Sequence, residues 1–139
     1  MQNKTYEIIP YNSIGNIYFS DRREMVREKI GGKYIYGVNE FKNIVELYDF
    51  FPDQDIKVAY DKNECLGSIE FFKGTVFFLG MNVMSMPYLE VKRIIRSLDP
   101  DLDINEDGFT SYKYGVGVAW DEEDNIITSV IAFKKDYYN

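Results

Sequence analysis

Hydrophobic and polar positions alternate in two distinct periods along this chain. Tyr6-Glu-Ile-Ile9 has the two-residue alternation of a short first strand. Met25, Val26 and Ile30 then recur at helical spacing, which predicts a helix over 21–31. Asp21 and Glu24 are spaced to form a capping box at its start, and Gly31-Gly32 can take the left-handed backbone that ends it. Runs rich in aromatic and β-branched residues over 33–38 and 43–51 predict strands, closed by the turn signal Phe51-Pro52-Asp53. Ile56–Tyr60 and Leu66–Phe72 predict a hairpin joined through Asp61–Glu64.

The second half reads in the same order. Val76–Leu79 predicts a strand. Ser85 and Pro87 then open a helix over 86–98 whose stripe is Tyr88, Val91, Ile95 and Leu98, and Asp99-Pro100 stops it. A polar loop follows over 101–108, then strands over 109–113, 116–120 and 126–133. The hairpins resemble each other: Ile56-Lys-Val-Ala-Tyr-Asp61 beside Val116-Gly-Val-Ala-Trp-Asp121, and Ser68-Ile69 beside Ser129-Val130. Gly15 and Ser20 precede the first helix as Gly80 and Ser85 precede the second. Self-similarity at a fixed period predicts a duplicated supersecondary unit. The expected fold is α+β: an antiparallel sheet with two helices and an internal duplication of a helix-then-hairpin unit. It is expected as one domain over 1–139, with pseudo-repeats at about 6–74 and 75–135, and with Val58, Val91, Ile95, Val118 and Trp120 in the core.

Composition narrows the function classes. Apolar residues are 45% of the 139, so the chain can bury a core without disulfide or metal. Asp and Glu outnumber Lys and Arg by 23 to 16, a net charge of −7, which argues against a phosphate-backbone binder and hence against nucleic acid. The basic residues gather on the two helices (Arg22, Arg23, Arg27, Lys29; Lys92, Arg93, Arg96), where a solvated face accounts for them. A single cysteine, Cys65, excludes an intrachain disulfide. Met1–Glu7 has no apolar run, and no stretch approaches the length of a membrane span, so the expected location is cytoplasmic, with no membrane association.

Candidate chemistry is sparse. With no histidine, His-based triads and the commonest general base are absent. Cys65 has no imidazole to activate it and reads as a small packing residue. Asp103, Asn105, Asp107 and Gly108 match the first half of an EF-hand loop, but position 12 of that loop is Tyr114 instead of an acid. They are a weak calcium candidate beside the simpler reading of a solvated turn, and no metal or cofactor is expected. Gly115-Val-Gly117 lacks the third glycine of a dinucleotide site and reads as glycine in a strand that a neighbour approaches closely. Asp61, Glu64 and Asp121–Asp124 gather in hairpin turns, where they read as a solvated acidic rim. Tyr and Phe number 12 and 10, more than one core of this size needs, so part of them should lie on an open sheet face.

The Gly-led segment, the helix Asp21-Arg-Arg-Glu-Met-Val-Arg-Glu-Lys-Ile-Gly31 and the hairpin after it resemble the tandem-repeat architecture of the β-lactamase inhibitor proteins. Those are secreted and disulfide-bonded, so the resemblance implies architecture alone. In size, acidity and aromatic content the chain resembles the small immunity proteins that neutralise toxins of bacterial competition systems. That resemblance implies an inhibitor, not an enzyme, that occludes the active site or substrate groove of a cognate toxin, with a basic toxin domain as partner. Tyr34, Tyr36, Tyr48, Asp121, Glu122 and Glu123 are the expected contact residues. The alternatives are a small-ligand-binding domain or a carboxylate-dependent enzyme.

Overall fold

A computed structural model describes residues 4–137. Its largest element is an eight-stranded antiparallel sheet in the order β10-β11-β12-β13-β7-β6-β5-β4. The strands are β4 (Ile35–Phe41), β5 (Ile44–Phe51), β6 (Ile56–Tyr60), β7 (Leu66–Phe71), β10 (Asp103–Asn105), β11 (Gly108–Ser111), β12 (Val116–Asp121) and β13 (Ile126–Phe133). Each half of the chain supplies a four-strand meander, and the halves meet where β13 pairs with β7. A smaller sheet, β3-β2-β1-β8-β9, is built from β1 (Thr5–Ile9), β2 (Ser13–Ile14), β3 (Ile17–Tyr18), β8 (Thr75–Phe78) and β9 (Met81–Asn82). There β1 and β8 pair in parallel. The helices are α1 (Arg23–Ile30) and α2 (Tyr88–Leu98), the latter preceded by one 3₁₀ turn, Val83–Ser85. Thus an α+β fold dominated by antiparallel sheet is what the molecule has. Among the described residues, no helix is long and apolar enough to cross a membrane.

One hydrophobic cluster lies between the large sheet and the remaining elements. Period-2 alternation sends Phe51, Val58, Ile69, Val130, Val118 and Phe109 from the sheet into it. Val26 and Ile30 of α1, Val91 and Ile95 of α2, and Tyr6, Ile8 and Val76 of the small sheet meet them. Tyr88 is buried and stacks on Trp120, with ring centroids 4.2 Å apart and planes 21° apart, so Trp120 packs against the core while remaining partly open. On the opposite face Tyr48, Phe50, Lys57, Glu70, Thr110 and Ile131 are only partly buried, whereas Ala59, Ser68, Ser129 and Phe133 are buried.

The two inner hairpins share a register. In the first, Val58, Ala59 and Tyr60 pair with Ile69, Ser68 and Leu66, and the ladder shifts between Ala59 and Tyr60. In the second, Val118, Ala119 and Trp120 pair with Val130, Ser129 and Ile127, and the ladder shifts between Ala119 and Trp120. Each bulge is followed by an isolated bridge to the start of a helix, Arg22 to Cys65 and Pro87 to Ile126.

Several local expectations differ from the structure. Asp21 does not cap α1. Its carboxylate accepts the Tyr18 N–H at 2.9 Å and the Lys29 ammonium at 2.7 Å, and the N-cap is Arg22 with no side-chain bond. The helix is steadied at its other end, where Lys4 Nζ donates to the carbonyls of Lys29 and Ile30. Met25 and Leu98 face solvent, because α2 runs one turn past the core and α1 presents only Val26 and Ile30 to it. The segment expected as a polar loop over 101–108 contains β10 and a tight turn to β11, since pairing with β11 outweighs the low strand propensity of Asp and Asn.

Candidate protein-binding surface

The β4–β5 hairpin is the outermost pair of the large sheet. Lys42 and Asn43 join its strands with φ of 47° and 68°. Two positive φ values in a two-residue loop make a type I′ turn, whose twist matches that of paired strands. Only the half of the hairpin next to β6 lies over the helix layer. There Asp49 and Phe51 are buried. The rest projects past the core, so side chains of both parities reach solvent. Tyr34, Ile35, Tyr36, Val38, Phe41, Ile44 and Val45 are all large, apolar in body and exposed, from 44% at Tyr34 to 68% at Phe41. Contiguous apolar exposure of this kind marks interaction surfaces in soluble proteins.

A buried ionic cluster fixes the root of the hairpin to α1. Asp49 is fully buried. Arg27 donates from Nε and from Nη2 to its two oxygens at 2.7 and 2.8 Å, and the Tyr60 hydroxyl donates to it at 2.7 Å. The Arg27 guanidinium lies 4.2 Å from the Tyr34 ring centroid, and Arg23 lies 5.2 Å from that of Tyr36 while pairing with Glu64 at 2.5 Å. The bond to Asp49 holds the Arg27 pKa above its ordinary value. Burial, then the hydrogen bond to Asp49, pushes the Tyr60 hydroxyl well up. Arg27 therefore stays charged and Tyr60 neutral across the physiological range. Arg23 and Arg27, expected on a solvated helix face, are both ion-paired: Arg27 turns inward because the buried Asp49 needs a bidentate partner, and Arg23 reaches the more open Glu64.

At the hairpin tip, the space between the Lys42-Asn43 turn, the β6–β7 turn and the C-terminal segment forms an open cleft of about 990 Å³. Phe41, Ile44 and Val45 make its apolar wall, and Asp61, Lys134 and Tyr137 lie opposite. Lys134 Nζ donates to Asp61 at 2.5 Å, and the Tyr137 hydroxyl donates to Glu46 at 2.8 Å. Gly67 admits the Tyr137 ring: a Cβ there would lie 2.3 Å from it. Burial alone would raise the Asp61 pKa. The Lys134 ammonium and the amides of Cys65 and Asn63 outweigh it and hold the carboxyl below its usual value. Asp61 and Glu64, expected in a solvated rim, are thus both ion-paired.

The residues expected at the contact fall into separate patches. Tyr34 and Tyr36 are on the hairpin, held against arginines. Tyr48 is on the opposite face, over Lys57 with its Nζ 5.0 Å from the ring centroid. Asp121, Glu122 and Glu123 are in or beside the β12–β13 turn and exposed, with Asp121 Oδ1 accepting the Glu123 N–H at 3.0 Å. Four strands separate β12 from β4 in the sheet order, a span of roughly 24 Å at ~4.8 Å per strand. Asp103 and Asn105 sit in β10, and Asn105 Oδ1 accepts the N–H groups of Asp107 and Gly108 as an ordinary Asx turn. Among the described residues, no group of three or more Cys, Asp or Glu is placed to hold a metal ion. Ile35, Val38, Ile44 and Val45 are exposed here without having been expected at the surface. Their signal is the lack of polar alternation in Ile35–Phe41 and Ile44–Phe51, which a half-buried strand would show.

No protein-family model matches the chain, and neither a curated protein nor a solved structure matches it.

Proposed function

We propose that this chain works by binding another protein through the β4–β5 hairpin and the adjoining open face of the large sheet. The observation that carries this reading is the run of seven exposed apolar side chains between Tyr34 and Val45 on a hairpin that is firmly rooted by the Arg27–Asp49 pair. A binding element needs such a combination: apolar area to bury and a rigid base that limits the entropy lost on docking. Asp49, Asp61 and Asp99, the carboxylates with the least solvent around them, each accept hydrogen bonds that tie elements together, which favours binding over carboxylate-dependent catalysis. In its most concrete form the chain is an immunity protein that occludes a basic toxin domain, and its net charge of −7 would speed that encounter. Immobilised protein should capture one partner, identified by mass spectrometry, and association with it should slow steeply with added salt. Ile44→Ser with Val45→Ser, both at exposed positions, should release that partner at unchanged melting temperature. Undiminished capture by the double variant would refute this surface.

We also infer that the two meanders descend from one duplicated unit. The equivalent registers and bulges support this, and so does a matched pair of bonds: Arg23 N–H to the Glu64 carbonyl at 3.0 Å, and Tyr88 N–H to the Asn125 carbonyl at 3.2 Å. Glu64 and Asn125 both have positive φ, 61° and 53°. A chain in which 116–132 replaces 56–71 should fold cooperatively; a molten product would count against equivalence.

A further inference from the structure

Sheet edges offer unpaired backbone groups, and folded proteins protect them with short strands, charges, proline or bulges. Three edges here are protected by brevity: β3 and β9 have two residues each, and β10 has three, among Asp101, Asp103, Glu106 and Asp107. The fourth edge, β4, is seven residues long without proline, and its ladder to β5 runs from Ile35 to Phe41 without a shift. Which of its groups face outward follows from the turn. In a two-residue hairpin the closing pair, Phe41 with Ile44, exchanges both hydrogen bonds, and the pattern then alternates. Ile35, Gly37 and Asn39 therefore bond to β5, while Tyr36, Val38 and Glu40 turn both N–H and C=O away from the sheet.

Charge and pattern single out the occupant. Residues 34–45 carry one acid, Glu40, and one base, Lys42, so this edge is neutral in a chain of net charge −7. It is also self-complementary. Antiparallel pairing of β4 with itself about Val38 sets Val38 against Val38 and Tyr36 against Glu40 on one face, and Ile35 against Phe41 on the other. Continued by one residue, Tyr34 meets Lys42. No like charges oppose, and apolar side chains of both faces gain neighbours, as the exposure of Ile35, Val38 and Phe41 requires. We propose that the chain forms a symmetric homodimer by antiparallel pairing of β4 with β4 of a second copy, centred on Val38, which joins the two large sheets into one of sixteen strands.

Light scattering after size exclusion, over a concentration series, tests this. The wild type should run at twice its 16.3 kDa mass. Val38→Pro removes an N–H that the protein itself does not use, so it should give a monomer with its melting temperature retained. Val38→Lys, which puts two ammonium groups opposite each other, should also give a monomer. In a Cys65→Ser background, Val38→Cys should form a disulfide-linked dimer, because a hydrogen-bonded antiparallel pair places Cα atoms about 5.5 Å apart, within disulfide range. Ile44→Cys, more exposed but facing no copy of itself, should not. A wild type that stays monomeric into the millimolar range would overturn the proposal, as would a dimer that survives both Val38→Pro and Val38→Lys. A monomeric wild type whose partner capture is abolished by Val38→Pro would overturn it too, and would put a partner's strand on this edge.

Discussion

The large sheet ends in two outer hairpins that occupy corresponding places and have opposite surfaces. On one side β4 and β5 have seven and eight residues and outrun the helix layer, leaving apolar side chains in solvent on both faces. On the other, β10 and β11 have three and four residues. There Phe109 is buried, the turn is acidic, and the Trp120 indole donates to the Glu106 carbonyl at 3.0 Å to hold it down. The contrast extends to the roots. An arginine–aspartate pair ties β5 to α1, whereas in the second half the Ser111 hydroxyl donates to the buried Asp99 at the end of α2. Strand length beyond the covering layer therefore separates a sheet edge that is finished from one that is open to association.

The difference between the two roots gives the largest measurable effect. Asp49→Ala would leave the partly buried Arg27 charge and the buried Tyr60 hydroxyl without their partner, and urea denaturation should show a loss of about 3 kcal/mol or more. Asp99→Ala removes a bond from a neutral hydroxyl and should lose about 1–3 kcal/mol. Equal losses would mean that the first root is no more ionic in effect than the second.

The cleft at the open hairpin's tip gives a smaller effect, which depends on pH. Asp61 has a folded pKa below its unfolded value of about 3.9, so its contribution is complete above that value and is lost as pH falls through the folded pKa. Asp61→Asn should lower the melting temperature at pH 7, and the gap to the wild type should close as the pH drops below about 4. A gap that persists in acid would assign the effect to geometry instead of charge. The smallest effect belongs to the acidic hairpin. Millimolar calcium should leave the melting temperature unchanged, since Asn105 is already bonded to the backbone. A rise of several degrees that Asp103→Ala abolishes would show that this turn is a binding site.

Much of the fold was legible because it is written in local periods. The alternation in Ile56–Tyr60 and Ile126–Phe133, the Tyr88–Val91–Ile95 stripe and Gly31 after α1 each report on their own segment, and each stands where expected. What escaped depends on distant partners. Arg27 finds Asp49 22 positions along the chain, and Asp61 finds Lys134 73 positions away, so neither inward turn has a local mark. The exposure of the β4–β5 hairpin was legible in part. Tyr34 and Tyr36 were expected on an open face and are exposed, but exposure of both parities in β4 depends on where the helix layer stops, which no single strand encodes.

The seam between the two meanders bears on how the molecule comes together in time. Phe71 pairs with Val130 and Ser68 with Phe133, partners 59 and 65 positions apart in the chain. Pairings of such separation close late, because the intervening chain must be ordered first. During synthesis, β7 leaves the ribosome well before β13. The middle of the finished sheet thus begins as an apolar edge with Leu66, Ile69 and Phe71 along it, a period in which that edge is open to mispairing.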